Sequence, residues 1–144
     1  MPDETAYIDT SVLGAYYCPE SLSAAAEAAL RQIKTPVIAL LSEVEFCSLL
    51  SRKRRLNELT ERQMRAILEL FSSHVAGDFY RRVTLAGEHF LTACKLLASA
   101  HGTLRTLDSL HLAVALAENL PLMTADQDLA KAAKRHKSAV ILIK

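Results

Sequence analysis

Short apolar runs alternate along the chain with longer segments whose apolar residues recur every three or four positions. The short runs predict strands and the longer segments predict amphipathic helices. We expect strands at residues 5–9, 36–40, 80–85, 121–124 and 139–143, the last of them buried. We expect helices at residues 10–17, 21–34, 42–55, 60–74, 86–100, 104–119 and 126–136. This alternation predicts an α/β fold, a three-layer α/β/α sandwich around a mostly parallel sheet.

Several predicted helices begin at residues that commonly cap a helix. Thr60 is followed three positions later by Gln63, which is the spacing of a capping box. Ser42 and Glu45 have the same spacing before the helix at 42–55, and Ser21 is a candidate cap for the helix at 21–34. We therefore expect Thr60, Ser42 and Ser21 to mark helix starts.

The composition is that of an ordinary globular domain, and we expect one domain over residues 1–144. Hydrophobic residues make up 51% of the chain and charged residues 23%, which excludes a disordered protein. The net charge of +1 gives no overall attraction to nucleic acid. Basic clusters occur at Arg52–Arg55, Arg81–Arg82 and Lys131–Lys137. They are either solvated helix ends or phosphate contacts beside an acidic site.

The three cysteines, Cys18, Cys47 and Cys94, are widely spaced and predict buried thiols rather than disulfides or a zinc site. The N-terminal residues lack the basic and apolar regions of a signal peptide, and no apolar run has the length of a membrane span. We therefore expect a cytoplasmic protein.

Four carboxylates follow predicted strands or lie on the helices beside them: Asp9, Glu45, Asp108 and Asp126. The carboxyl ends of parallel strands meet at one edge of a sheet, where binding sites form. Three of the four also have ordinary explanations, because Asp9 and Asp126 could cap helices and Glu45 could complete a capping box. Asp108 is different, because it lies on an almost wholly apolar helix where an unpartnered carboxylate is costly.

A convergence of these carboxylates would need a cation or shifted pKa values to offset their repulsion. Oxygen ligands suit a hard cation, Mg²⁺ or Mn²⁺. Such an ion can activate water for attack on a phosphodiester. His111 lies three residues after Asp108, but an oxygen-only ligand set leaves it unnecessary as a metal ligand. We expect His111 to pack in the core or to support a ligand.

Four segments together resemble the signature segments of PIN-domain ribonucleases, and more closely those of VapC-type toxins. They are "YIDTSVL", "SEVEFCSLLSRK", "LRTLDSLHLAVAL" and "PLMTADQDLAKAA". The resemblance spans nearly the whole chain and keeps the order of the segments. It implies a parallel sheet flanked by helices and a metal-dependent endoribonuclease site.

The resemblance also assigns residues. It implies Asp9, Glu45, Asp108 and Asp126 as catalytic metal ligands, with Glu45 fitting the pattern better than Glu43. It implies that Ser11 orients Asp9, and it matches Thr124 and Arg105 to family positions beside the last and third acids. Asp128 either reaches the metal through water or only occupies the first turn of its helix. The supporting residues are Ser11, Thr124, Arg105 and Asp128.

The function that follows is a Mg²⁺-dependent endoribonuclease, the toxin of a type II toxin–antitoxin pair. The alternative is a catalytically silent PIN-like module that binds RNA or protein. Expected partners are an RNA substrate, a cognate antitoxin and a second copy of the chain. Val12, Leu13, Tyr16 and Tyr17 are candidates for an antitoxin groove, although plain core packing explains them as well.

Overall fold

A computed structural model describes residues 4–99 and 104–144. Its strands are β1 (Thr5–Ile8), β2 (Thr35–Ala39), β3 (Arg81–Val83), β4 (Leu122–Thr124) and β5 (Val140–Leu142). Its helices are α1 (Thr10–Tyr17), α2 (Ser23–Arg31), α3 (Leu40–Arg55), α4 (Glu61–Ala76), α5 (Gly87–Ser99), α6 (Thr106–Ala117) and α7 (Gln127–Arg135). Position 100, the end of the predicted helix at 86–100, lies outside the described residues.

The strands form one sheet in the order β3-β2-β1-β4-β5, and every neighbouring pair is parallel. The chain builds outward from β1 to β3, then returns through α5 and α6 to place β4 on the other side of β1. The direction of winding therefore reverses between β1 and β4. In an open parallel sheet, such a reversal leaves a crevice beyond the carboxyl ends of the two strands.

Residues of β1 alternate between the two faces of the sheet and bury apolar surface on both. Ala6 and Ile8 join one core cluster, which includes buried residues of α1, α2, α3 and α4. Tyr7 joins a second cluster, which includes buried residues of α5, α6 and α7. Helices thus cover both faces, and the predicted three-layer α/β/α sandwich is confirmed.

Helix α6 is apolar because most of its circumference is buried. Leu110, Leu112 and Val114 belong to the second cluster, and five consecutive residues from His111 to Ala115 are buried. The helix ends before Asn119, which has a positive φ of 54°. Asparagine tolerates this left-handed conformation better than most residues and often follows a helix end. A buried α6 means that any polar side chain on it needs a partner within the protein.

Two of the three predicted caps are wrong. The Thr60–Gln63 capping box is present, with reciprocal hydrogen bonds of 2.8 and 3.1 Å. Ser42, however, is the third residue of α3 rather than its cap, because the helix begins at Leu40. Its hydroxyl accepts a hydrogen bond from the Ala39 N–H at 3.1 Å, so Glu45 has no role in this cap. Ser21 lies before α2, which begins at Ser23.

Two other predictions also need correction. The last strand, predicted as buried, is the edge strand β5, and all three of its residues are only partly buried. Of the cysteines, Cys18 is buried, but Cys47 and Cys94 are exposed on α3 and α5. Both cysteines lie on solvent-facing positions of these helices, where a small side chain is accommodated. Among the described residues, no helix is both long enough and apolar enough to cross a membrane.

The three thiols are expected to react at different rates. Burial raises the pKa of Cys18, which lowers its thiolate fraction, whereas Cys47 and Cys94 are accessible. A disulfide-exchange reagent monitored by absorbance should modify two thiols quickly in the folded protein and the third only slowly. The Cys18→Ser variant should lack the slow phase. Equal rates for all three thiols in the folded protein would contradict this placement.

Candidate active site

Asp9 follows β1 directly, at the edge of the sheet where the winding reverses. Its backbone N–H donates to the carbonyl of Met123 at 2.9 Å, which continues the pairing of β1 with β4. It occupies the N-cap position of α1, but its side chain makes no capping hydrogen bond. Side-chain capping, the ordinary explanation for Asp9, is therefore wrong. The carboxylate is 5% exposed and points into a hydroxyl cluster instead.

Two hydroxyls hold the Asp9 carboxylate. Ser11 Oγ donates to Asp9 Oδ2 at 2.6 Å, and Thr124 Oγ1 donates to the same oxygen at 2.9 Å. Each hydroxyl also accepts a backbone N–H just after β4, from Ala125 at 3.0 Å and from Asp126 at 3.0 Å. Ser11 and Thr124 thus connect the ends of β1 and β4. This leaves Asp9 Oδ1 as the carboxylate oxygen without a hydroxyl donor.

Asp126 combines the ordinary explanation with a place in the site. Its Oδ1 caps α7 by accepting the N–H groups of Asp128 and Leu129 at 2.9 and 3.2 Å. Its Oδ2 lies 3.6 Å from an Arg105 guanidinium nitrogen. One oxygen therefore stabilises the helix start, while the other faces the opposing helix. The Asp128 side chain is exposed and does not line the cleft described below.

Asp108, in the first turn of α6, forms an ion pair with Arg105, whose Nε lies 3.2 Å from Asp108 Oδ2. Burial raises the pKa of Asp108; Arg105 opposes the shift, but the negative charges of Asp126 and Asp9 reinforce it. The Arg105 side chain is 76% exposed, so solvent screens its attraction to both acids. Arg105 therefore bridges Asp108 and Asp126 only weakly.

Glu45 lies in the second turn of α3, opposite α1. Gly14 allows this close approach, because a Cβ at its position would lie 3.1 Å from Leu49 Cδ1. Thr10 Oγ1 donates to Glu45 Oε1 at 3.3 Å, and His111 Nε2 also contacts Oε1. Glu43 instead forms two 2.9 Å hydrogen bonds with Arg82 on the outer surface. Of the two glutamates in the "SEVEF" segment, Glu45 thus faces Thr10 and His111, and Glu43 faces the outer surface.

His111 is 1% exposed and lies between Glu45 and β1. Its Nδ1 is 2.5 Å from the Tyr7 hydroxyl, and its Nε2 is 4.0 Å from Asp9 Oδ1. Burial alone would lower the pKa of His111, but the Glu45 hydrogen bond and the charges of Asp9, Glu45 and Asp108 together raise it. Burial also raises the pKa of Tyr7, which keeps the phenol protonated.

The four predicted carboxylates line one cleft at the crevice between β1 and β4, and this cleft has a volume of about 340 Å³. The rest of its lining is polar, basic or apolar: Thr10, Ser11, Ser48, Leu49, Arg52, Arg105 and Leu107. Four acids and two arginines therefore face the same space. A cleft of this composition suits a ligand that carries both phosphate groups and a counter-ion.

The donor chemistry of the cleft fits a hard divalent cation, because all four acids offer oxygen and neither cysteine nor a free imidazole joins them. Within residues 4–99 and 104–144, however, no group of three or more His, Cys, Asp or Glu side chains is placed so that it could hold a metal ion as it stands. Arg105 lies against Asp108 and Asp126, and His111 lies against Glu45. An arginine and a histidine side chain thus partly balance the acids in this arrangement.

Sequence reasoning missed Tyr7 and Thr10 and left the role of Arg52 open. Tyr7 resembles any other apolar residue of a buried strand, and nothing local reveals its hydroxyl contact. Thr10 is hidden by the stronger signal of Asp9 beside it. Arg52 belongs to the basic cluster Arg52–Arg55, for which the sequence predicts either a solvated helix end or phosphate contacts beside an acidic site. It lies seven positions after Glu45, which places both residues on one face of a helix.

The antitoxin groove proposed for α1 is not formed by the residues named for it. Val12, Leu13 and Tyr17 are buried in the first core cluster, so the alternative of plain core packing holds for them. Tyr16 alone of the four is partly exposed, and it lines a separate groove with Leu30, Ile33 and Phe79. The apolar spacing in "SVLGAYY" reflects the buried face of a short helix.

Comparisons with known proteins agree with this architecture. The chain is similar in structure to VapBC2 from Rickettsia felis bound to a promoter DNA fragment, with a TM-score of 0.66, 17% identity, and coverage of 97% of this chain and 99% of the other. It is similar to FitAcB from Neisseria gonorrhoeae, with a TM-score of 0.65, 18% identity, and coverage of 94% and 96%. It is also similar to VapBC-5 from Mycobacterium tuberculosis, with a TM-score of 0.61, 21% identity, and 98% coverage of each chain.

No curated protein matches the chain. The solved structures share its fold at low sequence identity, so the family assignment depends on the sequence pattern itself. The family model described as PIN domain matches residues 6–135, a span that contains Asp9, Glu45, Asp108 and Asp126. The chain belongs to the PIN domain family.

Proposed function

We propose that this protein is a Mg²⁺-dependent endoribonuclease that acts in the cytoplasm as the toxin of a type II toxin–antitoxin pair. The observation that supports this best is the convergence of Asp9, Glu45, Asp108 and Asp126 on one cleft. These acids come from β1, α3, α6 and the start of α7, so only the folded sheet brings them together. Gathering four carboxylates costs the fold free energy through their mutual repulsion, which a bound cation would relieve.

Asp9, Asp108 and Asp126 would hold the metal, with Glu45 binding directly or through water. When bound, Mg²⁺ or Mn²⁺ would activate a water molecule and neutralise charge on the phosphodiester. The chain prepares these ligands in different ways. Ser11 and Thr124 fix the Asp9 carboxylate through Oδ2, and the α7 cap fixes Asp126 through Oδ1.

In this proposal, the Arg105 side chain moves from the acids to the rim of the cleft when the metal binds. Its side chain is largely exposed and its two ion pairs, at 3.2 and 3.6 Å, are solvent-screened. Movement of the guanidinium out of the cleft would free Asp108 and Asp126 for the metal and place a positive charge at the rim. There it could bind a phosphate of the substrate, for which a planar guanidinium is well suited.

The proposed substrate is single-stranded or loop RNA, cleaved to 5′-phosphate and 3′-hydroxyl ends. Arg52 lines the cleft from α3, and no carboxylate in the described part of the chain lies within ion-pair distance of it. An arginine without an acidic partner beside an acidic centre is suited to a backbone phosphate. The attraction is local, because the net charge of the chain is only +1.

The proposed partners are a cognate antitoxin and a second copy of the chain. The similar structure from Mycobacterium tuberculosis is described as a member of the VapBC family of toxin–antitoxin systems, and those from Rickettsia felis and Neisseria gonorrhoeae are named VapBC2 and FitAcB. An antitoxin gene is expected beside the gene for this chain. The second copy is tested separately, because light scattering on the purified protein measures whether it is a dimer. Co-expression with the neighbouring short reading frame should give a stable complex.

Asp9→Asn should abolish RNA cleavage without unfolding the protein. The amide keeps the shape and can still accept the two hydroxyl hydrogen bonds, but it removes the ligand charge. Because loss of even an outer partner of a metal ligand lowers affinity or activity about 10- to 100-fold, we expect a loss of at least about 100-fold. Cleavage of labelled RNA with Mg²⁺ or with EDTA measures this. Full activity of the folded variant would overturn the assignment of Asp9.

The two glutamates of α3 provide a matched pair of variants. Glu45→Gln should strongly reduce cleavage, because Glu45 lines the cleft, whereas Glu43→Gln should keep it, because Glu43 pairs with exposed Arg82 outside the cleft. Both substitutions are isosteric and two residues apart on the same helix. Cleavage rates at saturating Mg²⁺ measure the difference. Equal losses in the two variants would exclude a specific role for Glu45.

Arg52→Gln should weaken RNA binding, and Arg54→Gln should not, because Arg54 does not line the cleft. Each variant is combined with Asp9→Asn so that the RNA stays intact, and affinity is measured by fluorescence anisotropy over a range of salt concentrations. Loss of one phosphate contact should reduce the slope of log affinity against log salt by about 1. If both arginines give the same slope, Arg52 does not contact RNA.

A further inference from the structure

A chain of buried hydrogen bonds runs from α3 across β1 to α6 and ends on one candidate metal ligand. We propose that His111, held by Tyr7 and Ser42, is a positioning residue that fixes Glu45 through its Oε1 and leaves Oε2 for a ligand in the cleft. This inference rests on the proposed function, because it assigns Glu45 a metal to bind. It gives a role to three buried polar groups that catalysis itself does not use.

The contacts form an unbroken series. His111 Nε2 contacts Glu45 Oε1, and His111 Nδ1 lies 2.5 Å from the Tyr7 hydroxyl. The Tyr7 hydroxyl is 3.5 Å from Ser42 Oγ, which accepts the Ala39 N–H at 3.1 Å. Tyr7, Ser42 and His111 are each at most 1% exposed. Water therefore has little access, and each polar atom must find its partner within the protein.

The donor and acceptor roles are consistent throughout the series. A carboxylate only accepts, so His111 Nε2 carries the hydrogen that points to Glu45. In a neutral ring, Nδ1 then accepts from the Tyr7 hydroxyl, whose oxygen accepts from Ser42. In a charged ring, Nδ1 donates to Tyr7, which donates to Ser42. The contact with Glu45 is the same in both cases, so the positioning role is independent of the charge of the ring.

The geometry at Glu45 favours positioning over simple core packing. Both described contacts of the carboxylate, from His111 and from Thr10, are to Oε1. The side chain is 19% exposed and lines the cleft together with Asp9, Asp108 and Asp126, and no hydrogen bond from the described residues reaches its other oxygen. His111 Nε2 is also 4.0 Å from Asp9 Oδ1. The same ring therefore reduces the repulsion between two of the acids.

The test uses substitutions that retain different atoms of the imidazole. In His111→Asn the amide can face Tyr7 but is too short to reach Glu45, whereas in His111→Gln the longer side chain can donate to Glu45. Tyr7→Phe removes only the hydroxyl that orients His111. Tyr80→Phe is the matched control, because Tyr80 is also buried and hydrogen-bonded, to Tyr17 at 2.8 Å, but does not line the cleft.

The measurement is Mn²⁺ affinity by calorimetric titration, with thermal unfolding in EDTA as a separate measure of stability. Asn at position 111 should weaken Mn²⁺ binding about 10-fold or more, the usual effect of losing an outer partner of a metal ligand. Tyr7→Phe should weaken it by a smaller factor. His111→Gln and Tyr80→Phe should stay close to the wild type. When each substitution is combined with Glu45→Ala, His111→Asn and Tyr7→Phe should no longer change the Mn²⁺ affinity, because the side chain through which they act is absent.

Unchanged Mn²⁺ affinity in His111→Asn and Tyr7→Phe would overturn the inference, as would equal losses with and without the Glu45 side chain. If His111→Asn does not fold, Tyr7→Phe decides by the same two criteria. A wild-type protein that binds Mn²⁺ and cleaves RNA, with variants that bind Mn²⁺ equally well, would refute only the positioning role. A wild-type protein that binds no Mn²⁺ would refute the proposed function and this inference together.

Discussion

The parallel pairing of β1 with β4 is the constraint on which the acidic cleft depends. It brings Thr124 to Asp9, although 115 residues separate them in the chain, and the hydroxyls of Ser11 and Thr124 then connect both strand ends to one carboxylate oxygen. The strand order reverses at this pair, so no neighbouring strand connection closes over the crevice. The sheet topology thus brings the candidate ligands together and leaves the space between them open.

The second constraint is electrostatic, because four acids around one space repel one another. The protein offsets this repulsion with the Arg105 guanidinium and with the His111 ring, whose pKa the neighbouring acids raise. Arg105 is exposed and weakly held, so its contribution is easily exchanged for solvent or another ligand. His111 is buried and held on both ring nitrogens, so it cannot leave without breaking a closed set of hydrogen bonds. The site therefore has one adjustable and one fixed neutralising group.

Much of the fold could be predicted from the sequence because strands and helices have strong local periodicities. The errors have two causes: a local pattern that fits two helix starts, and contacts between residues far apart in the chain. Ser42 has the local pattern of a cap, yet the helix begins two residues earlier, at Leu40, and the Ser42 hydroxyl binds backwards to Ala39. The acids could be predicted from their places after strands and from the resemblance. The contacts of Tyr7 and His111 could not, since they join residues 104 positions apart.

The dependence of the cleft on β4 also has a consequence for biosynthesis. A chain emerging from the ribosome exposes β1 before the other strands, so β2 can pair with β1 and β3 with β2 before β4 is made. The acidic centre, however, is incomplete until Asp126 has emerged and β4 has joined β1. Until then the chain can fold in part while the cleft still lacks one of its four acids. Because its acids come from distant parts of the sequence, the cleft is completed only after the last of these parts has been synthesised.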